Sequence, residues 1–548
     1  MGTQDAVGEK TSAHILALFF LALLPALLYF NSLGNSFHYD DGFYILNNAY
    51  AHDLSRVGHF FVSSKLISNI TLSGYRPLTM TTFAFNYAVG AGNPFGYHLV
   101  NVAIHVLNTL LVYAVSLSLM RVFEVPHVRK AAMATAVLFA CHPINTQPVN
   151  YTSGRSTLLA AGFSLLSLLL YMRRERAKTG TKRILALAGS LVAYSCALLS
   201  KEEAVALPAL IMLYELCRIR LRLDTRNIKR VIIPLLSFAV LTLGFMILVV
   251  HVLGLISDTP QARGMGENLL TQAKAIFIYG KLMLFPTNLS IDHVIAPSRS
   301  LLDPLGAASV IGLTAIVIAS TVAIRTFPML SFGVWWFLLA LAPTSTLVAL
   351  KLVVNEQRMY LPAVGLMLIA GAGFGAALEQ AAKTGRSGVR TAVILASTAV
   401  ALCLSAVTVR RNIDWRTPLN LWTSALHQYP ASVRANTQVA NLYLQDGRVQ
   451  QAVAAAEKAV EIAPDFPDAR MALASAYSRV GLQEEALKHA RAAVDLNPVS
   501  SDAHTTLGIV YARLGRYAES EAEWRRALEL DPNNREAREN LEKLRDHP

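Results

Sequence analysis

Eleven apolar stretches, at 14–32, 98–120, 131–147, 154–171, 184–199, 203–217, 231–253, 305–324, 328–342, 360–379 and 391–409, recur before residue 410 of this chain. A hydrocarbon core about 30 Å thick takes roughly 20 apolar residues of α-helix to cross, and inside it every backbone N–H and C=O must be satisfied within the protein. Runs of this kind exclude an ordinary soluble globule and predict an all-α, polytopic membrane bundle of about eleven spans. The first run has no basic segment before it beyond Lys10 and reaches Phe30 without an Ala-x-Ala site, so it is read as a retained span. The stretch 268–286 is apolar on one face but interrupted by Gln272, Lys274 and Lys281, and is read as an interfacial or re-entrant helix.

Charge divides the chain at Pro430. Residues 1–429 hold 34 Lys and Arg against 18 Asp and Glu, whereas residues 430–548 hold 15 against 18, a water-soluble composition. A basic excess often marks nucleic-acid binding, but here it lies between membrane-length runs, where it acts as a topology signal. Segments 121–130, 172–183, 218–230, 325–327 and 380–390 carry 19 basic residues in 49 positions and are assigned to the cytoplasm. The long loops 33–97 and 254–304 then face the other side. Eleven spans starting inside put the C-terminal domain outside, although Arg410, Arg411 and Arg416 run against that rule. Cys141, Cys196, Cys217 and Cys403 make no Cys-x-x-Cys pair, so neither a disulfide framework nor a zinc site is indicated.

The C-terminal domain repeats itself. A shift of 34 superimposes Pro430, Pro464, Pro498 and Pro532, and likewise Tyr443, Tyr477 and Tyr511, Gly447, Gly481 and Gly515, and Ala459, Ala493 and Ala527. Glycine ending a first helix, alanine where two helices cross and proline closing the second make the tetratricopeptide pattern. Ser520 departs from the small alanine seen at Ala452 and Ala486. The expected division is a membrane domain over 1–410, a linker and capping helix over 411–429, and three repeats with a charged final helix over 430–548.

Chemistry-bearing residues gather at the predicted outer face. Phe37-His38-Tyr39-Asp40-Asp41-Gly42 follows the first span; in an extended backbone the two carboxylates point to opposite sides, one free to act as a base. The bland alternative is a solvated Asp-Asp-Gly turn. His98, Asn101, His105 and Asn108 form an ~80° stripe on the second span, suited to cavity lining or to interhelical hydrogen bonds. His98 and His105 stand about 10.5 Å apart along such a helix, too far to share one metal ion. Three further clusters, His142 to Arg155, Ser200-Lys201-Glu202-Glu203 and Asn355-Glu356-Gln357-Arg358-Met359-Tyr360, map to the same side. Each alone is compatible with charges that pair among themselves, but Arg76, Arg155, Lys201 and Arg358 together would hold a phosphate.

The Asp-Asp pair, Tyr75-Arg76-Pro77-Leu78, Asn101 with His105, the His142–Arg155 segment, Ser-Lys-Glu-Glu, Glu356 to Pro362 and the 34-residue repeats resemble the transmembrane and tetratricopeptide repeat-containing O-mannosyltransferases and their bacterial relatives. The resemblance covers nearly the whole chain. It implies a GT-C-type glycosyltransferase that takes a sugar from a polyprenyl-phosphate donor on the non-cytoplasmic face, with the repeats on that face. Three repeats are fewer than in the animal members, so the acceptor is not carried over; a bacterial-type member in the cytoplasmic (inner) membrane is expected. Such a transfer needs a base for the acceptor hydroxyl, supplied by Asp40 or Asp41, and cations for the leaving phosphate, with Arg76, Lys201 and Arg358 the candidates. His98, Asn101, His105, His142, Arg155, Glu202, Glu356 and Tyr360 complete the expected donor or acceptor site. A single displacement would invert the anomeric carbon. No ligand spacing demands a metal, although Glu202, Glu356, His98 and His142 offer donors to a divalent ion. The repeats would hold a protein or peptide acceptor. Two other classes remain: a transporter, which would place broken helices and ionisable groups near the midplane, and a membrane-anchored repeat scaffold, which needs only an anchor.

Overall fold

The computed structural model describes residues 2–62, 74–220, 225–252, 263–345, 349–350, 352–385 and 387–546. Parts of the loops 33–97 and 254–304, and of the basic segments 218–230 and 380–390, lie outside them. The described chain is all-helical and divides into two compact units, one of residues 1–289 and 295–417, the other of residues 290–294 and 418–548.

The first unit is a bundle of thirteen longer helices: α1 Gly2–Leu28, α2 Pro77–Gly90, α3 Pro94–Val122, α4 Val128–Cys141, α5 Arg155–Arg176, α6 Gly180–Leu198, α7 Leu207–Arg218, α8 Thr225–Ile247, α9 Met265–Leu284, α10 Pro304–Val322, α11 Pro328–Ser345, α12 Pro362–Lys383 and α13 Ser387–Asp414. Among the described residues, eight helical stretches are long and apolar enough to cross a membrane: 14–32, 94–122, 152–176, 231–250, 304–325, 328–345, 362–383 and 387–414. The remaining three of the eleven apolar runs form α4, α6 and α7 in the same bundle. α4 and α7 have only 14 and 12 residues, about 21 and 18 Å at 1.5 Å per residue. The run at 268–286 forms α9, whose Lys274 bonds the Ala296 carbonyl and pairs with Asp303.

Helix starts are written locally. Asn93 caps α3 by accepting from the Phe95 N–H, with Pro94 in the first turn where no N–H is needed, and Asp303 and Pro304 repeat the device at α10. Helix contacts instead depend on small residues. A Cβ on Gly365 of α12 would lie 2.5 Å from the Gly333 carbonyl oxygen of α11, and a Cβ on Gly333 would lie 2.5 Å from that of Gly365. Gly371 meets Thr135 and the Ala131 carbonyl of α4 as closely. Close backbone approach of this kind is how membrane helices gain packing energy where lipid is as apolar as leucine.

Side chains at the helix ends gather one end of the bundle. Asn412 of α13 donates to the Leu28 carbonyl and to Asn31 beyond α1, and accepts from Asn150. Thr408 of α13 donates to the Cys141 carbonyl at the end of α4. The C-terminal ends of α1, α4 and α13 thus meet around the loop that follows α1.

The second unit contains α14 Pro418–Gln428, three helix pairs (α15 Val433–Gln445 with α16 Val449–Ile462, α17 Pro467–Val480 with α18 Gln483–Leu496, α19 Ser501–Arg513 with α20 Tyr517–Leu530) and α21 Arg535–Asp546. Gly447, Gly481 and Gly515 turn each pair with φ of +72°, +89° and +74°, a left-handed conformation that only glycine adopts without strain. Ala459, Ala493 and Ala527 are fully buried at the crossings. Ser520 is buried too, and donates to the Gly508 carbonyl at 2.8 Å, which satisfies its hydroxyl. The segment Ser290–Val294 belongs to this unit: Ser432 donates to Asp292, and His293 bonds the Tyr429 hydroxyl.

A bulky side chain at the α11–α12 contact has no space, whereas Gly373 on the same helix has no neighbour within 4 Å. Gly365→Leu should destabilise the detergent-solubilised protein by at least about 1–3 kcal/mol and lower its thermal midpoint by several degrees, with Gly373→Leu unchanged. Equal midpoints for the two variants would refute the backbone contact.

Candidate active site

The loop after α1 makes a tight turn at His38–Gly42. Asp41 N–H donates to the His38 carbonyl and Gly42 N–H to the Tyr39 carbonyl. Tyr39 takes φ +47°, a left-handed value costly for a residue with a Cβ, and Asp41 is helical. The backbone is therefore not extended here, yet the adjacent carboxylates still separate. Asp41 is fully buried: its Oδ2 accepts from the His38 N–H at 2.9 Å, and its Oδ1 accepts from the Ser153 N–H at 2.8 Å and the Ser153 hydroxyl at 2.5 Å. Burial pushes its pKa up to about 6, against the pull of those three donors. Asp40 is exposed, and its carboxylate lies near enough to the Tyr151 hydroxyl to bear on its ionisation.

Aromatic rings enclose the turn. Tyr151 stands against Tyr39 and Trp415, and His38 meets the Trp415 indole edge-on at 5.4 Å. The His38 Nε2–H donates to the Trp415 carbonyl at 2.7 Å, while burial lowers its pKa to about 4 and keeps the ring neutral. Its Nδ1 is buried and has no hydrogen-bond partner among the described residues.

Arg155, at the start of α5, points inward. Its Nε donates to Asn101 Oδ1 at 2.8 Å, one terminal nitrogen to Asn86 Oδ1 at 2.6 Å and to Thr82, and the other to the Tyr97 carbonyl at 2.9 Å. The guanidinium also lies 4.7 Å from the Phe83 ring centre. With 0% exposure it has no face for a substrate phosphate. Asn101 spends its amide on the Val149, Tyr151 and Thr152 carbonyls, and His98 bonds the Asn35 carbonyl. The polar stripe of α3 thus holds the segment 149–155 and the loop after α1 in place.

The cations form a second cluster. Arg76 makes a two-pronged pair with Glu202, at 3.0 and 3.4 Å, and keeps part of its side chain exposed. Lys201 is buried, bonded to Glu203 at 2.8 Å and to the Thr157 hydroxyl at 2.9 Å; burial lowers its pKa while Glu203 pulls it up. Arg358 donates to the Leu352 and Val353 carbonyls. Tyr44, four residues beyond Asp40, is close enough to both Arg76 and Tyr151 to bear on their ionisation.

The remaining sequence candidates lie deeper. Tyr360 accepts from Asn108 and bonds His105 Nδ1 at 2.7 Å inside the bundle. His142 bonds the Met283 carbonyl at 3.0 Å, and Glu356 is buried at 1% exposure. Among the described residues no three His, Cys, Asp or Glu side chains come together as a metal-ligating group. Sequence reasoning missed Ser153, Tyr151, Thr157 and Asn412. Only Ser153 and Tyr151 carried any signal, as members of the His142–Arg155 segment.

Residues 433–466 and 501–534 match models of the tetratricopeptide repeat. The chain is 25% identical over 470 residues to the Caenorhabditis elegans protein O-mannosyl-transferase F38B6.6, covering 83% of this chain and 63% of that protein. It is 27% identical over 457 residues to the Drosophila melanogaster protein O-mannosyl-transferase Tmtc3, covering 71% and 48%. It thus spans about half to somewhat under two thirds of the length of these curated relatives. A solved first TPR of Spaghetti (RPAP3) bound to an HSP90 peptide is 28% identical over 21% of this chain and 90% of that one, with a TM-score of 0.20. Over most of its length the chain is similar to proteins named protein O-mannosyl-transferases, and its C-terminal unit carries tetratricopeptide repeats.

Proposed function

We propose that this protein is a membrane glycosyltransferase that moves a mannose-like hexose from a polyprenyl-phosphate donor to a hydroxyl on a protein, at the extracytoplasmic face. The observation that carries this reading is the divergence of the two carboxylates: Asp41 is buried and accepts three hydrogen bonds, while Asp40 is exposed. Homology to named protein O-mannosyl-transferases supports the sugar and the protein acceptor.

In this mechanism the acceptor hydroxyl gives its proton to the Asp40 carboxylate as its oxygen bonds to the anomeric carbon. The bond from that carbon to the phosphate oxygen breaks on the opposite side, and the polyprenyl phosphate leaves with the electron pair. A single displacement of this kind inverts the anomeric carbon. Asp41 is a positioning residue, holding the turn that aims Asp40. Arg76 meets the phosphate with its fork, exchanging part of its Glu202 contact for the substrate, and Lys201 reinforces the positive potential from within.

Asp40→Asn should lower turnover by roughly 10²–10⁴, the usual loss for a general base, measured as transfer of labelled sugar from a polyprenyl-phosphate donor to protein. The two carboxylates should also differ in the pH dependence of stability. Asp41 titrates near pH 6 when folded, against an ordinary value of 3.8. Its neutral form therefore adds stability that is complete below about pH 4 and lost as the pH rises through about 6. The wild-type thermal midpoint should fall between pH 5 and pH 7, Asp40→Asn should keep that fall, and Asp41→Asn should lose it. Full transfer by Asp40→Asn would remove Asp40 as the base.

The alternation of basic loops and the exit of α13 beside the Asp41 turn, where Ser36 N–H donates to the Arg416 carbonyl, support repeats on the extracytoplasmic side. Alkaline phosphatase fused after Pro548 should be active in whole bacterial cells; activity confined to lysed cells would reverse the orientation. An acceptor-binding repeat domain raises the local acceptor concentration. Removing residues 418–548 should accordingly raise KM for a protein acceptor while leaving kcat for a short hydroxyl-bearing peptide nearly unchanged. An unaltered KM would assign the repeats to another partner.

A further inference from the structure

A groove of 1010 Å³ opens between α1, α4, α12 and α13, with Tyr113 of α3 at its side. It lies away from the carboxylate turn, because α1, α4 and α13 all run toward that turn and the groove stops at Leu24, Leu138 and Ser405, short of their C-terminal ends. On α4 it extends from Arg129 to Leu138, about 14 Å of helix, and on α1 from His14 to Leu24, about 15 Å. That is half of a hydrocarbon core about 30 Å thick, the depth of one leaflet. Its walls are mainly aliphatic and aromatic, and its polar groups are unevenly distributed. Arg129 and Lys130, in the first turn of α4, and His14, twelve residues into α1, stand at the mouth.

Among the described residues the charge at the mouth has no counterion. Arg129 and Lys130 are exposed, and among the described residues neither makes an ion pair. The acid available on α12, Glu379, is engaged by His127 at 3.5 Å and Lys383 at 3.4 Å. The His14 and Tyr113 rings lie 6.1 Å apart beside the mouth and add polar edges to it. A slot one leaflet deep, mainly apolar apart from the Ser397, Thr398 and Ser405 hydroxyls of α13 and cationic at its headgroup end, has the chemical profile of a single anionic lipid.

We propose that this groove binds one anionic glycerophospholipid from the leaflet opposite the Asp40–Asp41 turn, its acyl chain between α1 and α13 and its phosphate held by Arg129 and Lys130. The basic segment 121–130, on the side assigned to the cytoplasm, is where anionic headgroups are met. The depth of the groove suits an acyl chain that ends at the bilayer midplane, and no part of the transfer chemistry is needed for the assignment.

The test uses the full-length protein in detergent, stripped of lipid, and counts retained lipid by native mass spectrometry during titration. The probes are phosphatidylglycerol, phosphatidylcholine with the same acyl chains, and undecaprenyl phosphate. One phosphatidylglycerol should be retained per chain, phosphatidylcholine should bind at least tenfold more weakly, and Arg129→Ala with Lys130→Ala should weaken phosphatidylglycerol about ten- to thirtyfold. Both side chains are exposed, so the double variant should keep the wild-type thermal midpoint in lipid-free detergent. Ala401→Phe, which narrows the apolar slot without touching the mouth, should also reduce retention. Equal retention of the two glycerophospholipids, or phosphatidylglycerol binding indifferent to the double variant, would overturn the proposal. Stoichiometric displacement of phosphatidylglycerol by undecaprenyl phosphate would overturn it as well, and would make the groove a seat for the polyprenyl lipid.

Discussion

A guanidinium buried among neutral acceptors organises the end of the bundle that carries Asp40 and Asp41. Arg155 spends its N–H groups on Asn101, Asn86, Thr82 and the Tyr97 carbonyl, and so ties the start of α5 to α2 and α3. Removing such a charge from water is costly, and the arrangement persists only because neutral acceptors and the Phe83 face surround it. Ser153 lies two residues before Arg155, and it is Ser153 that closes on Asp41. The position of the exposed Asp40 therefore traces back, through Asp41 and Ser153, to a side chain that never meets solvent.

The cation cluster follows a different logic. Arg76 and Lys201 are each matched by a glutamate from the same short hairpin, which lets the protein hold two positive groups together without substrate. Of the two, Arg76 retains exposed surface and a fork, while Lys201 is enclosed beside Thr157. A fork that can exchange one anion for another suits phosphate recognition better than a buried ammonium does. The lower rim of the bundle, by contrast, leaves Arg129 and Lys130 unmatched beside an apolar groove, and there lipid supplies the missing anion in our reading.

The two ends also differ in how they are built. Near the carboxylates, asparagines do the joining: Asn35, Asn150 and Asn412 form a connected set between the loop after α1, the segment 146–150 and the end of α13. In the body of the bundle, glycine and alanine do so by letting backbones touch, as at Gly333 and Gly365. Amides give direction where the chain is irregular, and small residues give proximity where it is helical.

The helical, membrane-spanning character and the repeats could be read from the sequence because both are periodic. Apolar runs of membrane length leave helix as the available backbone solution, and a 34-residue period with Gly447, Gly481 and Gly515 in register specifies each turn through a local φ that other residues resist. The motifs around Asp40, Arg76, Arg155, Lys201 and Arg358 were visible as polar residues between apolar runs, but their roles were not. Adjacent aspartates look equivalent in a sequence; one is buried and the other exposed because Ser153, 112 positions away, donates to only one of them. Arg155 and Arg76 are the same residue type at loop ends, yet Asn101 and Asn86 draw the first inward while Glu202 leaves the second partly exposed. Periodicity is a property of neighbours along the chain and survives in the sequence alone. Burial, and the choice of partner that sets each ionisable group's chemistry, is decided by contacts between distant segments, and these exist only once the helices have packed.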